Sequence, residues 1–489
     1  MDVALSSMMG LAFAEHLSAF ANSKGVKLGT ITKIEQNPDQ SKHLETATLK
    51  IFGLDIDLVN LRSEEYAAGS RIPCGVSFGT PLEDALRRDI TINALFYNVE
   101  TSMVEDFTGK GVDDLRNGII RTPMPPMETF QDDPLRVLRC IRFASRFGFE
   151  VVSDIEEAAK SPIIQKALVE KVARERVGDE VSKMITGRNP LQSANLIHQL
   201  ALYPSIFCVV PPDAKSSMAD VNLMQDYPNV ALGSAVILNS LLSLDSALGF
   251  RVHPALLSNV KDDSSAKARI MLATLLTPFV GMTFLDKKKK IHPVVASVIR
   301  DSLKLGSQNH FLDGIPALFS SLSVIKEHVE SHEQNRLGRA KMGLFLRHKF
   351  VHNPNIGNHW TSSLLFSLVT RLRPLYDLQN DIFDIEAASR IVTSYNSLLD
   401  TVFDFALQQD IDAKPLLNGR EVGTAFGVSK PGPWIGKVLE DVVEWQLGHP
   451  KSSKSDCLQW LQSRGIQSYI SDAGDSEKVQ APTKRLRTK

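Results

Sequence analysis

The chain has 489 residues, 43% hydrophobic and 23% charged, with a formal net charge of -1. That balance is ordinary for a globular protein of roughly two to four domains. It excludes a global field drawing in nucleic acid, so any such surface has to be local. Four scattered cysteines, Cys74, Cys140, Cys208 and Cys457, form no C-x-x-C pair. They argue for an intracellular chain with neither a disulfide framework nor a cysteine zinc site. The most apolar run, "IMLATLLTPFVGMTF" from Ile270, is broken by Pro278 and Gly281 and falls short of the ~18 residues a membrane span needs.

The first stretch, "MDVALSSMMGLAFAEHL", reads as the end of a buried strand running into a helix. "TATLKIFG" and "LDIDLVNLR" then alternate apolar and polar and join near Gly53, a hairpin signal. Asp57 shares a strand face with Val59 and Leu61, and Asp55 lies one residue pair away on the same face. A carboxylate on an apolar face is costly unless it is paired or binds metal. Asp2 keeps similar strand company, and Mg2+ favours a few carboxylates together with substrate phosphates.

"LEDALRRDITINALFYN" is predicted as a helix. Arg87 and Arg88 adjoin Asp89, and Asn93 follows four residues on, which places it on the Asp89 face of such a helix. Asp89 and Asn93 suit ribose hydroxyls, and a neighbouring arginine suits a triphosphate; a surface salt bridge is the plainer alternative. "MVEDFTGKGVDDLRNGIIRT" holds a Gly-rich turn between short elements.

From Asp132 onward the pattern turns helical, so strands come first and helices after, an α+β arrangement in separate domains. The richest stretch is "FQDDPLRVLRCIRFASRF", where Asp132 and Asp133 precede Pro134 at a predicted helix start. Arg136, Arg139, Arg142 and Arg146 follow within an arc of roughly 120°. Val137, Leu138, Ile141 and Ala144 form a core stripe on another arc. A solvated arginine face is one reading and a nucleotide site the other. Arginine only donates and an ionised carboxylate only accepts. Cytosine and adenine both place a ring-nitrogen acceptor beside an exocyclic amino donor, whereas uracil and guanine reverse the pattern. One arginine with one aspartate thus selects C and A without a template, and the remaining arginines suit phosphates.

Farther along, Glu175 and Arg176 in "RERVGDE" are expected to brace the helix behind the arginine ladder. His328 with His332, and His348 with His352, are expected on polar helix faces. Lys287 to Lys290 read as a charged loop, with RNA-backbone contact as the alternative. "GPWIGK", Gly432 to Lys437, is one residue short of a P-loop, and Trp434 and Trp445 are expected to pack in a small helical tail. The polar end, "SDAGDSEKVQAPTKRLRTK", reads as a disordered basic tail.

Taken together, "FGTPLEDALRRDITINALFYN", "VEDFTGKGVDDLRNGIIRTP", "DDPLRVLRCIRFASRF" and "RERVGDEVSKMI" closely resemble the tRNA nucleotidyltransferases, the CCA-adding enzymes, in their fungal form. The likeness is strong over about the first 200 residues and weaker through "LNGREVGTAFGVSKPGPWIGKVLEDVVEWQL". It implies an α+β chain: a polymerase-β-like head over 1–124, a helical neck over 125–205, a helical body over 206–400, a tail over 401–468 and the basic end over 469–489. It implies Mg2+ as cofactor, ATP and CTP as substrates, tRNA as partner and no membrane. Arg136 with Asp133 would read the base, with Arg139 and Arg142 beside them. Arg88 would meet phosphate and Asp89 the ribose, while Asp57 aligns with the family's strand carboxylate. Arg420 and Lys437 are weaker candidates for tRNA contact.

The family's head opens with a glycine turn and V-R-D ahead of a D-x-D strand, and no G-G-x-V-R-D occurs in this sequence. "MDVAL" matches the strand after the middle of D-x-D, which leaves Asp2 as its second, metal-binding carboxylate. The expectation is a head lacking its first strand, helix and aspartate, and CCA addition that is weak or absent. A non-catalytic tRNA-binding form and a poly(A) polymerase-like relative are the alternatives.

Overall fold

A computed structural model describes residues 1–34, 46–66, 73–218, 221–243, 249–428, 432–466 and 469. The basic end beyond Tyr469 lies outside the described residues. The chain divides into two units, Met1–Val236 with Thr274–Leu312, and Ile237–Ala273 with Asp313–Lys489.

In the first unit, alternation in the opening residues gives strand β1 (Asp2–Leu5), followed by helix α1 (Gly10–Ser23). Then come β2 (Thr32–Ile34), β3 (Thr46–Ile51) and β4 (Leu54–Asn60). These build one sheet in the order β1-β4-β3-β2, with β1 parallel to β4 and the β3–β4 hairpin turning at Phe52 and Gly53. One face carries Leu5, Ala47, Leu49, Ile56 and Leu58, which pack against Ala14, Phe13 and Leu17 of α1. Asp2, Asp57 and Val59 project from the other face, because side chains alternate along a strand. That face is half-exposed at Asp57 and Val59, so the carboxylates avoid the burial expected on an apolar surface. Asn60 steadies the turn after β1, its Nδ2 donating to the carbonyls of Leu5 at 3.3 Å and Met8 at 2.7 Å.

Gly10 lets α1 lie on this sheet: a Cβ there would stand 2.8 Å from the Leu58 carbonyl oxygen and 3.0 Å from the Ala47 nitrogen.

After β5 (Arg62–Tyr66) and β6 (Pro73–Phe78), an antiparallel pair, the predicted long helix divides into three pieces. Only α2 (Pro81–Leu86) is α-helical; Thr91–Asn93 form a single 3-10 turn and Phe96–Asn98 become strand β7. Thr80 caps α2 with Glu83 in a reciprocal capping box, and Pro81 opens the helix. Strand β8 (Met103–Glu105), helix α3 (Gly111–Asn117) and strand β9 (Ile119–Ile120) follow.

Helix α4 (Pro126–Asp132) ends at Asp132, which corrects its placement at the start of the next helix. Asp133 is extended, and α5 (Leu135–Phe147) begins behind Pro134. Val137, Leu138, Ile141 and Ala144 are fully buried, as the stripe predicts. Strand β10 (Glu150–Val151) pairs with β9, and helices α6 (Ser153–Lys160), α7 (Pro162–Glu170) and α8 (Arg174–Ile185) complete the surround, α8 packing directly on α5.

Two features lock α8. Arg174 donates Nε to the carbonyl of Ser302 at 2.7 Å and its Nη atoms to those of Ser205 and Ile206 at 3.1 and 2.6 Å. Gly178 presses on the chain at Leu303, where a Cβ would come within 1.7 Å of the carbonyl oxygen. The lysine run forms the tip of a hairpin between Thr283–Leu285 and Ile291–Pro293, where Asp286 accepts from the Lys288 and Lys290 nitrogens and faces His292 at 2.9 Å.

The second unit is helical. The helix Trp360–Leu372 is buried on nearly all sides, as its Leu, Phe and Val content with small serines permits. His332 and His352 are buried here, which corrects their expected polar faces. His332 accepts from the Leu337 nitrogen, and His352 meets Asp412 at 2.8 Å. Trp434 and Trp445 pack against a cluster of Leu417, Val422, Val438, Val442, Cys457 and Leu461, as expected. Among the described residues no helix is long and apolar enough to cross a membrane.

Gly178→Ala is expected to cost about 3 kcal/mol, the upper range for overpacking, because backbone rather than a flexible side chain must move. Urea unfolding of the two proteins checks it, and an unchanged midpoint would disprove the role given to this contact.

Candidate active site

Helix α2 is short, but its spacing has a chemical result. Asp84 faces Arg87 and Arg88 at i+3 and i+4, where helical side chains meet. Its carboxylate is buried and accepts from Arg87 Nε at 2.9 Å, Arg87 Nη2, Arg88 Nε at 3.0 Å and Arg88 Nη2 at 2.6 Å. Burial opposes the Asp84 charge, but the two guanidiniums outweigh it and hold its carboxyl below the usual range.

The turn after α2 brings Asp89 and Asn93 together by a route other than the predicted helical face. Asp89, 6% exposed, accepts from the Ile90 nitrogen at 3.0 Å and Asn93 Nδ2 at 3.2 Å, while its second oxygen accepts from Arg139 Nε at 2.7 Å. Burial disfavours the Arg139 charge, yet Asp89 more than compensates and raises its pKa. Thr91 ties the turn down through Asp114, which also receives Arg121.

On α5, Arg136 donates Nη2 to the Arg87 carbonyl at 2.8 Å and Nη1 to the Thr129 carbonyl at 3.3 Å. Asp133 accepts from the Leu135 nitrogen at 3.2 Å and from both ends of the Arg176 fork, at 2.8 and 3.4 Å. Arg176 on α8 thus supports the start of α5 through Asp133, whereas the sequence placed its bracing on the helix behind.

These groups surround one cavity of about 520 Å3, lined among the described residues by Asp2, Arg87, Arg88, Asp89, Asn93, Asp133, Arg136, Arg139 and Arg176. Five arginines against three aspartates leave it basic, suited to a polyanion with a polar head. The register sets Asp2 directly opposite Asp57 on adjacent parallel strands, ~4.8 Å apart along the hydrogen bonds. Asp55 instead pairs with Lys50 at 3.6 Å at the exposed end of the hairpin. No cluster of three or more His, Cys, Asp or Glu with metal-site geometry occurs among the described residues.

Arg142 departs from the expected group. Its Nε donates to Glu180 Oε2 at 2.5 Å, and it lines a different cavity with Arg146 and Lys183. Glu180, at 3% exposure, has one signal in the sequence, a carboxylate on the apolar side of α8. Arg420 is exposed and lines a third cavity, with Asn418 and Thr424, in the second unit; Lys437 is exposed in the first turn of the helix Trp434–Gly448.

Residues 1–121 match a family model described as the Poly A polymerase head domain. Over 475 residues the chain is 33% identical to the mitochondrial CCA tRNA nucleotidyltransferase of Saccharomyces cerevisiae, covering 95% of this chain and 84% of the relative. It is 34% identical over 478 residues to the tRNA nucleotidyltransferase cca1 of Schizosaccharomyces pombe, covering 96% and 88%. The chain belongs to the CCA tRNA nucleotidyltransferase family. Solved CCA-adding enzymes share its fold. An apo form superposes with TM-score 0.57 and 19% identity over 95% of this chain and 87% of its own. The Thermotoga maritima CCA-adding enzyme complexed with tRNA superposes with TM-score 0.53 and 20% identity over 95% and 86%. By family, then, this is a nucleotidyltransferase, with a head that packs α1 on a small sheet.

Within the CCA tRNA nucleotidyltransferase head, Asp84→Asn is expected to cost about 3 kcal/mol at neutral pH, since an amide cannot accept both forks. Asp84 binds protons less readily folded than unfolded, so the loss is full above the ordinary carboxylate pKa of about 3.9 and shrinks as pH falls below it. Urea unfolding of both proteins at pH 7 and pH 3 measures this; an equal gap at both values would refute it.

Proposed function

We propose that this chain adds C, C and A to the 3′ end of tRNA from CTP and ATP, and that the cavity between α2, α5 and α8 holds the incoming nucleotide. One observation carries the reading: eight of the residues expected from sequence, Asp2, Arg87, Arg88, Asp89, Asn93, Asp133, Arg136 and Arg139, line a single basic cavity.

In this reading Asp133 and Arg136 face the base. Arg136 is anchored by two carbonyls through one hydrogen on each Nη, which leaves further N–H groups to donate to a ring nitrogen. Asp133, steadied by Arg176, accepts from the exocyclic amino group. Cytosine and adenine satisfy both partners; uracil and guanine place a carbonyl against the carboxylate and are rejected. Asp89 with Asn93 takes the ribose hydroxyls, and Arg139 holds Asp89 in place. Arg87 and Arg88, aligned by Asp84, meet the triphosphate oxygens and the charge that gathers on departing pyrophosphate. The tRNA 3′ hydroxyl oxygen attacks the α-phosphorus, forming the new phosphodiester as the bond to pyrophosphate breaks.

Asp2 and Asp57, opposed on one open sheet face, suit Mg2+, which takes one or two carboxylates and completes its shell with water and substrate phosphates. Bound there, it supplies Lewis-acid polarisation of the phosphate. Arg420 and Lys437 are proposed as contacts to the tRNA backbone.

Incubation with radiolabelled CTP or ATP and tRNA lacking its terminal CCA tests the function. Addition that stops at CCA, at a low rate, is expected; a long poly(A) product would reject it, and no product under any condition would favour the non-catalytic tRNA-binding form instead. Arg136→Ala is expected to lower the preference for CTP over UTP about tenfold or more, as the loss of one base-edge contact implies. An unchanged ratio would remove Arg136 from base reading. Asp2→Ala is expected to lower the rate about 100-fold or more, and EDTA to abolish incorporation.

A further inference from the structure

A second cavity, of about 640 Å3, opens where the C-terminal half of α5 meets the end of α8. Arg142, Arg146, Lys183 and Arg188 bring four cations to it. Glu180 answers two of them: Arg142 Nε lies 2.5 Å and Lys183 Nζ 3.5 Å from its oxygens. Because Glu180 is buried at the helix contact, it fixes these two cations at the cavity wall. Arg146 and Arg188 meet no carboxylate among the described residues and are exposed.

An aromatic ring stands among these charges. Phe147 is 41% exposed, stacks on Phe143 with ring centroids 6.0 Å apart and planes 9° apart, and has the Arg146 guanidinium 5.5 Å from its centroid. Phe143 is buried and backs the stack from within. An exposed ring held by Phe143 and by Phe149, 5.4 Å away, with a guanidinium over it, is the chemistry that binds single-stranded nucleic acid, in which bases stack and phosphates pair. A free phosphate has no use for the ring, and a duplex keeps its bases from it.

The position of the cavity points the same way. Arg136 and Arg139 of α5 face the nucleotide cavity, while Arg142 and Arg146 face this one, about two turns or ~10 Å farther along the helix. We propose that this second cavity holds the single-stranded 3′ end of the RNA immediately before its growing terminus. One base lies on Phe147, and phosphates lie against Arg146, Lys183 and Arg188. The inference rests on the nucleotide reading of the first cavity and assigns the strand that the nucleotide joins.

Fluorescence anisotropy on the full chain tests it, using a short single-stranded oligoribonucleotide and an abasic strand of the same backbone. The double variant Arg146→Glu/Arg188→Glu is expected to bind the oligonucleotide at least about tenfold more weakly, with a log affinity against log salt slope shallower by about 1.4, as loss of two single-strand phosphate contacts gives. Phe147→Ala is expected to weaken the base-bearing strand roughly tenfold and to leave the abasic strand unchanged. Thermal unfolding and CTP binding by equilibrium dialysis are expected to match the wild type in both proteins. Variants that bind the oligonucleotide as the wild type does, or a wild type that does not distinguish it from the abasic strand, would overturn the strand site. Failure of the wild type to bind CTP would instead overturn the nucleotide reading.

Discussion

Everything at this site depends on the burial of one side of α5. Val137, Leu138, Ile141 and Ala144 are sealed in the core, so the helix has no freedom to rotate. The arginines on its other side therefore leave it in fixed directions. Three of the four then find a specific acceptor: Arg136 two carbonyls, Arg139 the Asp89 carboxylate, Arg142 the Glu180 carboxylate. The hydrophobic effect chooses the side, and hydrogen bonds choose the angle of each guanidinium.

The same division of labour runs through the neighbouring elements. Asp84 is expensive to bury, and two arginine forks make the burial tolerable. Their reward is position, since Arg87 and Arg88 are drawn to one wall of the cavity. Arg176 does the equivalent for Asp133 from α8, whose own seat is set by Gly178 and the carbonyls that receive Arg174. A chain of contacts thus runs from a glycine packed on the Leu303 backbone to a carboxylate at the cavity.

Local patterns made much of this legible. The strand of Asp2, the hairpin at Gly53 and the apolar stripe of α5 follow from period-two and period-3.6 alternation, and all three stand in the structure. The stretch around Arg88 to Asn93 misled, because good helix formers flank a segment whose fold is decided by distant partners, Asp114 and Arg139. Arg142 misled for a related reason. Periodicity gives the side of a helix on which a residue lies, but a buried glutamate on another helix decides where its charge is used. The buried histidines were hidden likewise, since their acceptors and donors, Asp412 and Leu337, are settled only by tertiary packing.

The two-pronged geometry of the guanidiniums restricts how this site can evolve. Arg88 meets Asp84 through Nε and Nη2 together, and Arg176 spans both oxygens of Asp133. A lysine carries the same charge but presents one ammonium point on a flexible stem, so it cannot make either two-pronged contact. Drift from arginine to lysine, harmless on most protein surfaces, here preserves the electrostatic sum and loses the alignment. Such positions are closed to the commonest charge-conserving exchange, and change there requires paired substitutions in the acceptor as well.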